Sequence, residues 1–257
     1  MSGDLDDLLG PACRCAHGED RHHGVAGCLE EGCGCPCYEP TAGSPHPSRV
    51  ELADLPGVLD EIEAFITRYV HFADRRQVVP LVLFVPVCYA VLDDPACIPA
   101  APYLSVTSPA PECGKTRVLE ALHKLLGDER ALFVAGSMTP ATLYRSREER
   151  PIALLVDEVG RLFGRRDDAA KELGAILDSG YRRGATVPRA VPVGKTFVVK
   201  RWPVFGPAVL AGLGELADTT KGRCIPLLLQ RRPRGARVDP FYEDEAEPAA
   251  ARVRDRL

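Results

Sequence analysis

Apolar residues follow two rhythms along this chain, and the change of rhythm predicts a change of architecture. From Glu51 the stretch LPGVLDEIEAFITRYVHF repeats apolar residues at helical spacing. Val78 to Leu92 (VVPLVLFVPVCYAVL) follows as a more deeply buried helix interrupted by Pro80 and Pro86. Beyond residue 98 short apolar runs alternate with helical segments: YLSVTS, a helix from Gly114 to Leu126, ALFVAG, a short helix after Thr139, then IALLVDE. A helix from Ala169 to Tyr181, a hairpin within Thr186 to Phe205 turning at Val193-Gly194, and the runs AVLAGLG and CIPLLLQ complete the series. Short strands separated by helices predict an α/β fold, a parallel sheet of about five strands flanked by helices and preceded by a helical lead-in.

The rest of the chain obeys neither rhythm. Residues 1–38 are rich in Cys, His and Gly and poor in large aliphatics, so apolar burial alone does not fold them. Residues 39–50 (EPTAGSPHPSRV) carry three prolines with Gly and Ser and read as a linker. The expected organisation is a Cys/His-rich module at 1–38, a linker at 39–50, the helical lead-in at 51–98, a core at 99–238, and a short, exposed, charged tail at 239–257.

Charge and composition narrow the partners. A formal charge of −4 over 257 residues gives no global basic field, so any nucleic-acid contact has to come from a local patch. The acidic start MSGDLDDLLG lacks a basic segment followed by an apolar one, so the expected compartment is the reducing cytoplasm. Val78 to Leu92 falls short of the roughly 20 residues that cross a bilayer, so a buried helix, with no membrane partner, is the expectation.

In that compartment clustered thiols read as metal ligands before disulfides. Cys13, Cys15, His17, His22, His23, Cys28, Cys33, Cys35 and Cys37 lie within 25 residues, and one tetrahedral Zn²⁺ needs four of them. The spacing resembles short Cys/His modules of actinobacterial and phage proteins, with Tyr38 in the aromatic place. The purified protein is expected to carry about one equivalent of Zn²⁺, because dense thiolates bind borderline metals readily. Removing residues 1–40 should abolish the metal and leave nucleotide binding intact. Metal analysis of protein prepared without chelator checks this, and a metal-free result leaves a disordered cysteine-rich tail.

The candidate chemistry of the core sits between its first strand and the following helix. There Thr107-Ser108-Pro109-Ala110-Pro111-Glu112-Cys113-Gly114-Lys115-Thr116 occupies the context of a phosphate-binding loop. The N–H groups of Cys113, Gly114, Lys115, Thr116 and Arg117 would face a nucleotide phosphate. Lys115 would neutralise the β and γ oxygens, and Thr116 would offer its hydroxyl to Mg²⁺. The match to G-x-x-x-x-G-K-[ST] is incomplete, because Pro109 stands at the first glycine and neither Pro109 nor Pro111 has an N–H. Further along, Ile152-Ala153-Leu154-Leu155-Val156 runs into Asp157-Glu158, the form of a Walker B strand. Asp157 is the expected Mg²⁺ carboxylate and Glu158 the acceptor of a proton from attacking water. Arg223, before CIPLLLQ, stands where an arginine would reach the γ-phosphate of a neighbouring subunit, whereas the polar sensor expected after the preceding strand is missing from AGLGEL.

The segments SPAPECGKTRVLEAL, LLVDEVGRLF, LGAILDSGYRRGATVPR and VFGPAVLAGLGELADTTKGRCIPLLLQRR resemble the P-loop ATPases of actinobacterial phages, plasmids and integrated elements, a family largely known as a domain of unknown function. The resemblance spans about residues 65 to 238. It implies an AAA+ or helicase-like P-loop NTPase core similar to replicative and primase-linked helicases, with Lys115, Thr116, Asp157, Glu158 and Arg223 in the matching positions. ATP and Mg²⁺ are the implied cofactors, and DNA replication or maintenance of a mobile element is the implied process. Single-stranded DNA is the expected further ligand, met by Arg182, Arg183, Arg189, Lys195, Lys200 and Arg201 with Phe197 and Trp202 around the hairpin. Two other readings stay open: a nucleotide-binding regulator or adaptor without turnover, and an assembly partner, as homo-oligomer or with a larger helicase or primase.

Overall fold

The computed structural model describes residues 54–160, 168–213, 216 and 218–257. The Cys/His module and the linker, with their candidate zinc ligands, lie outside the described residues.

Five strands form one parallel sheet: β1 (Tyr103–Thr107), β2 (Ala131–Val134), β3 (Ala153–Val156), β6 (Ala208–Gly212) and β7 (Cys224–Leu228), in the order β2-β3-β6-β1-β7. Their register brings Thr107 beside Gly212 and Leu228, and Val156 beside Leu210. All five therefore end at one edge of the sheet, where ligands of open α/β sheets bind.

Alternation along the strands sends side chains to two separate cores, because successive residues of a strand point to opposite faces. Leu104, Val106, Ala153, Leu155, Val209, Ala211 and Leu227 face one core. That side is covered by α1 (Leu55–Tyr69), α2 (Val78–Asp93), α3 (Lys115–Leu126) and a C-terminal helix, α7 (Glu243–Arg254). Tyr103, Leu154, Val156, Ala208 and Leu210 face the other, under α4 (Pro140–Glu149) and α5 (Asp168–Gly180). A short α6 (Asp218–Lys221) leads into β7.

Local chemistry explains the helix ends. Thr139 accepts a hydrogen bond from the Thr142 N–H through its hydroxyl and caps α4, with Pro140 at the first helical position. Gly127 closes α3 at φ +76°, a left-handed conformation that favours glycine. The lead-in helix expected to be interrupted is continuous from Val78 to Asp93. Pro80 falls in its first turn, where a missing N–H has no intrahelical partner to lose, and Pro86 is carried inside. With the preceding turn, Arg75–Asp93 is long and apolar enough to cross a bilayer by length and composition; half of that window is buried, against α1 and α3.

Two expectations need correction. Residues 239–257 are not an exposed charged tail: Ala246, Ala250 and Val253 of α7 are buried against α1 and α3. Its charges lie outward, and Arg254 donates to Glu247 at 2.5 Å while Lys124 pairs with Glu247 at 3.1 Å. Trp202 is not available for stacking on a base, since it is 8% exposed and packs on Tyr144 with ring centroids 5.0 Å apart. Arg189 and Lys200, on the hairpin, stay partly exposed and pair with Glu172 and Glu148.

The hairpin itself, β4 (Thr186–Val193) and β5 (Thr196–Pro203), is a two-stranded antiparallel sheet separate from the main one. Cross-strand pairs share a face. Val187/Trp202, Arg189/Lys200 and Val191/Val198 make the inner face, on which Trp202, Val187 and Val191 reach the second core. Pro188/Arg201, Ala190/Val199 and Pro192/Phe197 make the outer face, where Phe197 and Val199 are 73% and 71% exposed.

At the root of the hairpin a buried arginine replaces an apolar plug. Arg147 of α4 is 3% exposed and donates through its Nη atoms to the carbonyls of Val204, Gly206 and Pro207. The Val204 and Gly206 carbonyls lie in the link from β5 to β6, whereas the Pro207 carbonyl also accepts the Leu154 N–H of β3. Burial holds the guanidinium below its ordinary range.

Candidate functional site

The loop between β1 and α3 is the first wall of a cavity of about 730 Å³ at the carboxyl edge of the sheet. Two backbone positions give the loop its shape. Glu112 has φ +61° and Gly114, which caps α3, has φ +91°. A side chain on Gly114 would be strained, whereas Glu112 accepts that strain. The turn exposes the N-terminus of α3, whose first N–H groups have no partner inside the helix.

Lys115 opens α3 and donates from Nζ to Ser108 Oγ at 2.6 Å, which lays its side chain across the loop. Ser108 in turn donates to the Ala110 carbonyl at 2.6 Å, so the loop is braced without the missing N–H groups of Pro109 and Pro111. Thr116 donates to Asp157 Oδ2 at 2.7 Å and joins two motifs 41 residues apart. Asp157 is buried, and its other oxygen accepts from the Glu158 N–H at 2.9 Å. Glu158 is exposed on the cavity wall with φ +56°, a left-handed turn at the end of β3.

Lys115, Thr116, Asp157, Glu158, Cys113, Gly114 and Arg117 thus line one cavity. A hydroxyl and a carboxylate oxygen in contact, beside a lysine and a helix N-terminus, are the donor set for a hydrated divalent cation bound to a polyphosphate. Cys113 is buried, with its Sγ 3.6 Å from the Pro111 carbonyl, and contributes its backbone rather than its thiol.

Arg223 lies elsewhere. Cys224 pairs with Tyr103 at the start of β1, so Arg223 stands at the edge of the sheet opposite the cavity. It donates to Asp178 Oδ1 at 2.9 Å and to the Thr219 carbonyl, and lies 5.1 Å from the centre of the Tyr181 ring. Arg182, which donates to the Tyr181 oxygen, and Arg223 hold that phenol below its ordinary range.

The polar sensor missing from the sequence has a spatial reason. Gly212 ends β6 on the cavity wall, and a Cβ there would lie 2.6 Å from Val159 Cγ2 and 3.3 Å from the Val159 nitrogen. The turn that follows Asp157-Glu158 occupies the space of a side chain at 212.

Another part of the cavity wall was not foreseen from the sequence. Tyr69, Val70 and His71 at the end of α1, and Val238, Asp239, Pro240 and Phe241 ahead of α7, form it, with Val70 beside Gly114. Arg117 lies over the Phe241 ring at 4.5 Å and pairs with Glu120 at 2.8 Å. The only early signal was the aromatic pair itself, Tyr69 closing a helix and Phe241 in a charged stretch. No protein-family model matches this chain and no curated protein is found similar to it, so its function is argued from these residues and their geometry.

Proposed function

We propose that this chain binds Mg·ATP in the cavity between the β1–α3 loop and Asp157-Glu158 and hydrolyses it, in the replication or maintenance of a mobile DNA element. The observation that carries the reading is the 2.7 Å contact of Thr116 with Asp157, made across the sheet and beside Lys115. The five-stranded parallel sheet, with β6 between the two motif strands, is compatible with a helicase-like P-loop core. Bound Mg²⁺ would draw charge from the β and γ phosphates. Thr116 and Asp157 would hold it, Lys115 and the α3 N-terminus would orient the phosphates, and Glu158 would accept the proton of the attacking water. Steady-state ATP turnover with and without single-stranded DNA tests this, and turnover that DNA raises is the expected result.

A second reading, a nucleotide-binding regulator or adaptor without turnover, is favoured by one observation: Gly212 leaves no room for a polar side chain facing the γ-phosphate end. Binding without turnover, with or without DNA, would select it.

For DNA the outer face of the hairpin is the better contact, since the inner-face cations are already paired. Lys195 in the turn and Arg201 on the outer strand flank exposed Phe197. Lys195→Ala with Arg201→Ala should weaken single-stranded DNA binding and flatten its log–log salt dependence by roughly 1.4, at about 0.7 per phosphate contact. Arg189→Ala, which breaks the pair with Glu172, should leave that slope unchanged. Anisotropy at several salt concentrations separates the two, and an unchanged slope in the double variant would exclude this face.

A further inference from the structure

We infer that the part of the cavity walled by the end of α1 and the segment ahead of α7 is a nucleobase subsite and that Phe241, delivered by the chain returning from β7, is its stacking residue. The inference rests on the Mg·ATP reading and adds what part of the nucleotide the rest of the cavity takes. A volume of about 730 Å³ exceeds the needs of a triphosphate and suits a whole nucleotide.

The chemistry of this part of the cavity matches a flat aromatic ligand. Phe241 presents a ring whose edge-on neighbour is Tyr69, with centroids 4.8 Å apart and planes at 71°, and Arg117 lies over the ring at 4.5 Å. Rings and guanidinium planes are the surfaces on which bases stack. Tyr69 is 3% exposed, and its hydroxyl is buried with no hydrogen-bond partner among the described residues. That hydroxyl has no accessible surface, so Tyr69 serves the subsite by seating the Phe241 ring edge-on rather than by bonding the base.

The return segment is held in place rather than draped over the opening. The Asp239 N–H donates to the Arg68 carbonyl at 2.9 Å, and the Arg68 side chain pairs with Asp239 at 2.7 Å and Glu245 at 3.0 Å. Arg231 pairs with Glu112 of the phosphate loop at 3.2 Å, so the same segment also touches that loop. α7 anchors it on α3 and α1. A ring fixed in this way loses little entropy when a base stacks on it.

Calorimetry on the full chain with Mg·ATP and with Mg·tripolyphosphate, which has no base, tests the subsite. The parent should bind Mg·ATP more tightly than Mg·tripolyphosphate. Phe241→Leu keeps apolar volume and removes the ring; it should weaken Mg·ATP about tenfold or more and leave Mg·tripolyphosphate unchanged. Phe241→Trp should restore the preference. Equal weakening of both ligands, or an unchanged ratio in the leucine variant, would overturn the subsite while leaving the phosphate site standing. Binding of neither ligand by the parent would overturn the Mg·ATP reading and the subsite with it.

Discussion

Replacing Lys115 by alanine should lower Mg·ATP affinity by roughly 100-fold or more, about 2.8 kcal/mol at ~1.4 kcal/mol per decade, with the fold intact. Lys115 is the cation whose position is fixed inside the phosphate loop, by its 2.6 Å bond to Ser108. Arg117 and Arg232 also line the cavity, but Arg117 is engaged with Glu120 and Phe241. Neither stands in the loop itself. The side chain of Lys115 belongs to the cavity wall and not to either apolar core, so its loss would remove the proposed phosphate contact without opening a void. Calorimetry with Mg·ATP, beside a thermal melt by circular dichroism, checks both halves. Unchanged affinity would remove the loop from the phosphate role, and Ser108→Ala, which only releases the lysine, should cost much less.

How far the sequence was legible follows from what kind of burial each element undergoes. Strands such as Leu104 to Val106 and Ala153 to Val156 are buried on both faces and appear as continuous apolar runs between turn signals, so their order along the chain was readable. Lys115, Thr116, Asp157 and Glu158 were readable for a related reason. Each follows directly on such a strand or its loop, and parallel strands deliver their ends to one edge.

Contacts made by small, charged or distant residues were not readable. α7 is written EDEAEPAAARVR, and its buried stripe is Ala246, Ala250 and Val253, too weak an apolar signal to separate it from an exposed charged segment. Arg147 stands in YRSREER, which reads as a solvated helix face, yet it is buried because backbone carbonyls at the root of the hairpin need donors. Trp202, Arg189 and Lys200 alternate with the outer-face residues of one hairpin, and composition alone does not say which face a helix will cover. One part of the cavity wall joins the end of α1 to the segment ahead of α7. Such a meeting depends on tertiary closure, and neither partner shows it locally.

The turn at Glu158 carries the largest catalytic expectation. Asp157 has both carboxylate oxygens engaged, one by Thr116 and one by the Glu158 N–H, which suits a holding role and not proton transfer. Glu158 is exposed at the cavity and adopts φ +56°, a conformation that costs a residue with a Cβ on the order of 1 kcal/mol and costs glycine almost nothing. A glutamate kept where glycine would relax the backbone points to a task for its carboxylate. Glu158→Gln preserves the turn and the shape of the side chain, so Mg·ATP affinity should stay at the parent value while turnover falls by roughly 10²- to 10⁴-fold. Glu158→Gly should lose turnover to the same degree, and its Tm reads the strain relieved at φ +56° against the unfolded-state entropy that glycine adds. Rapid-quench hydrolysis and thermal melts on the three proteins distinguish the outcomes. Parent-level turnover in the glutamine variant would take the base role from Glu158. Weaker Mg·ATP binding by the glycine variant, with a parent that never turns over, would mean that the turn serves binding, as the regulator reading requires.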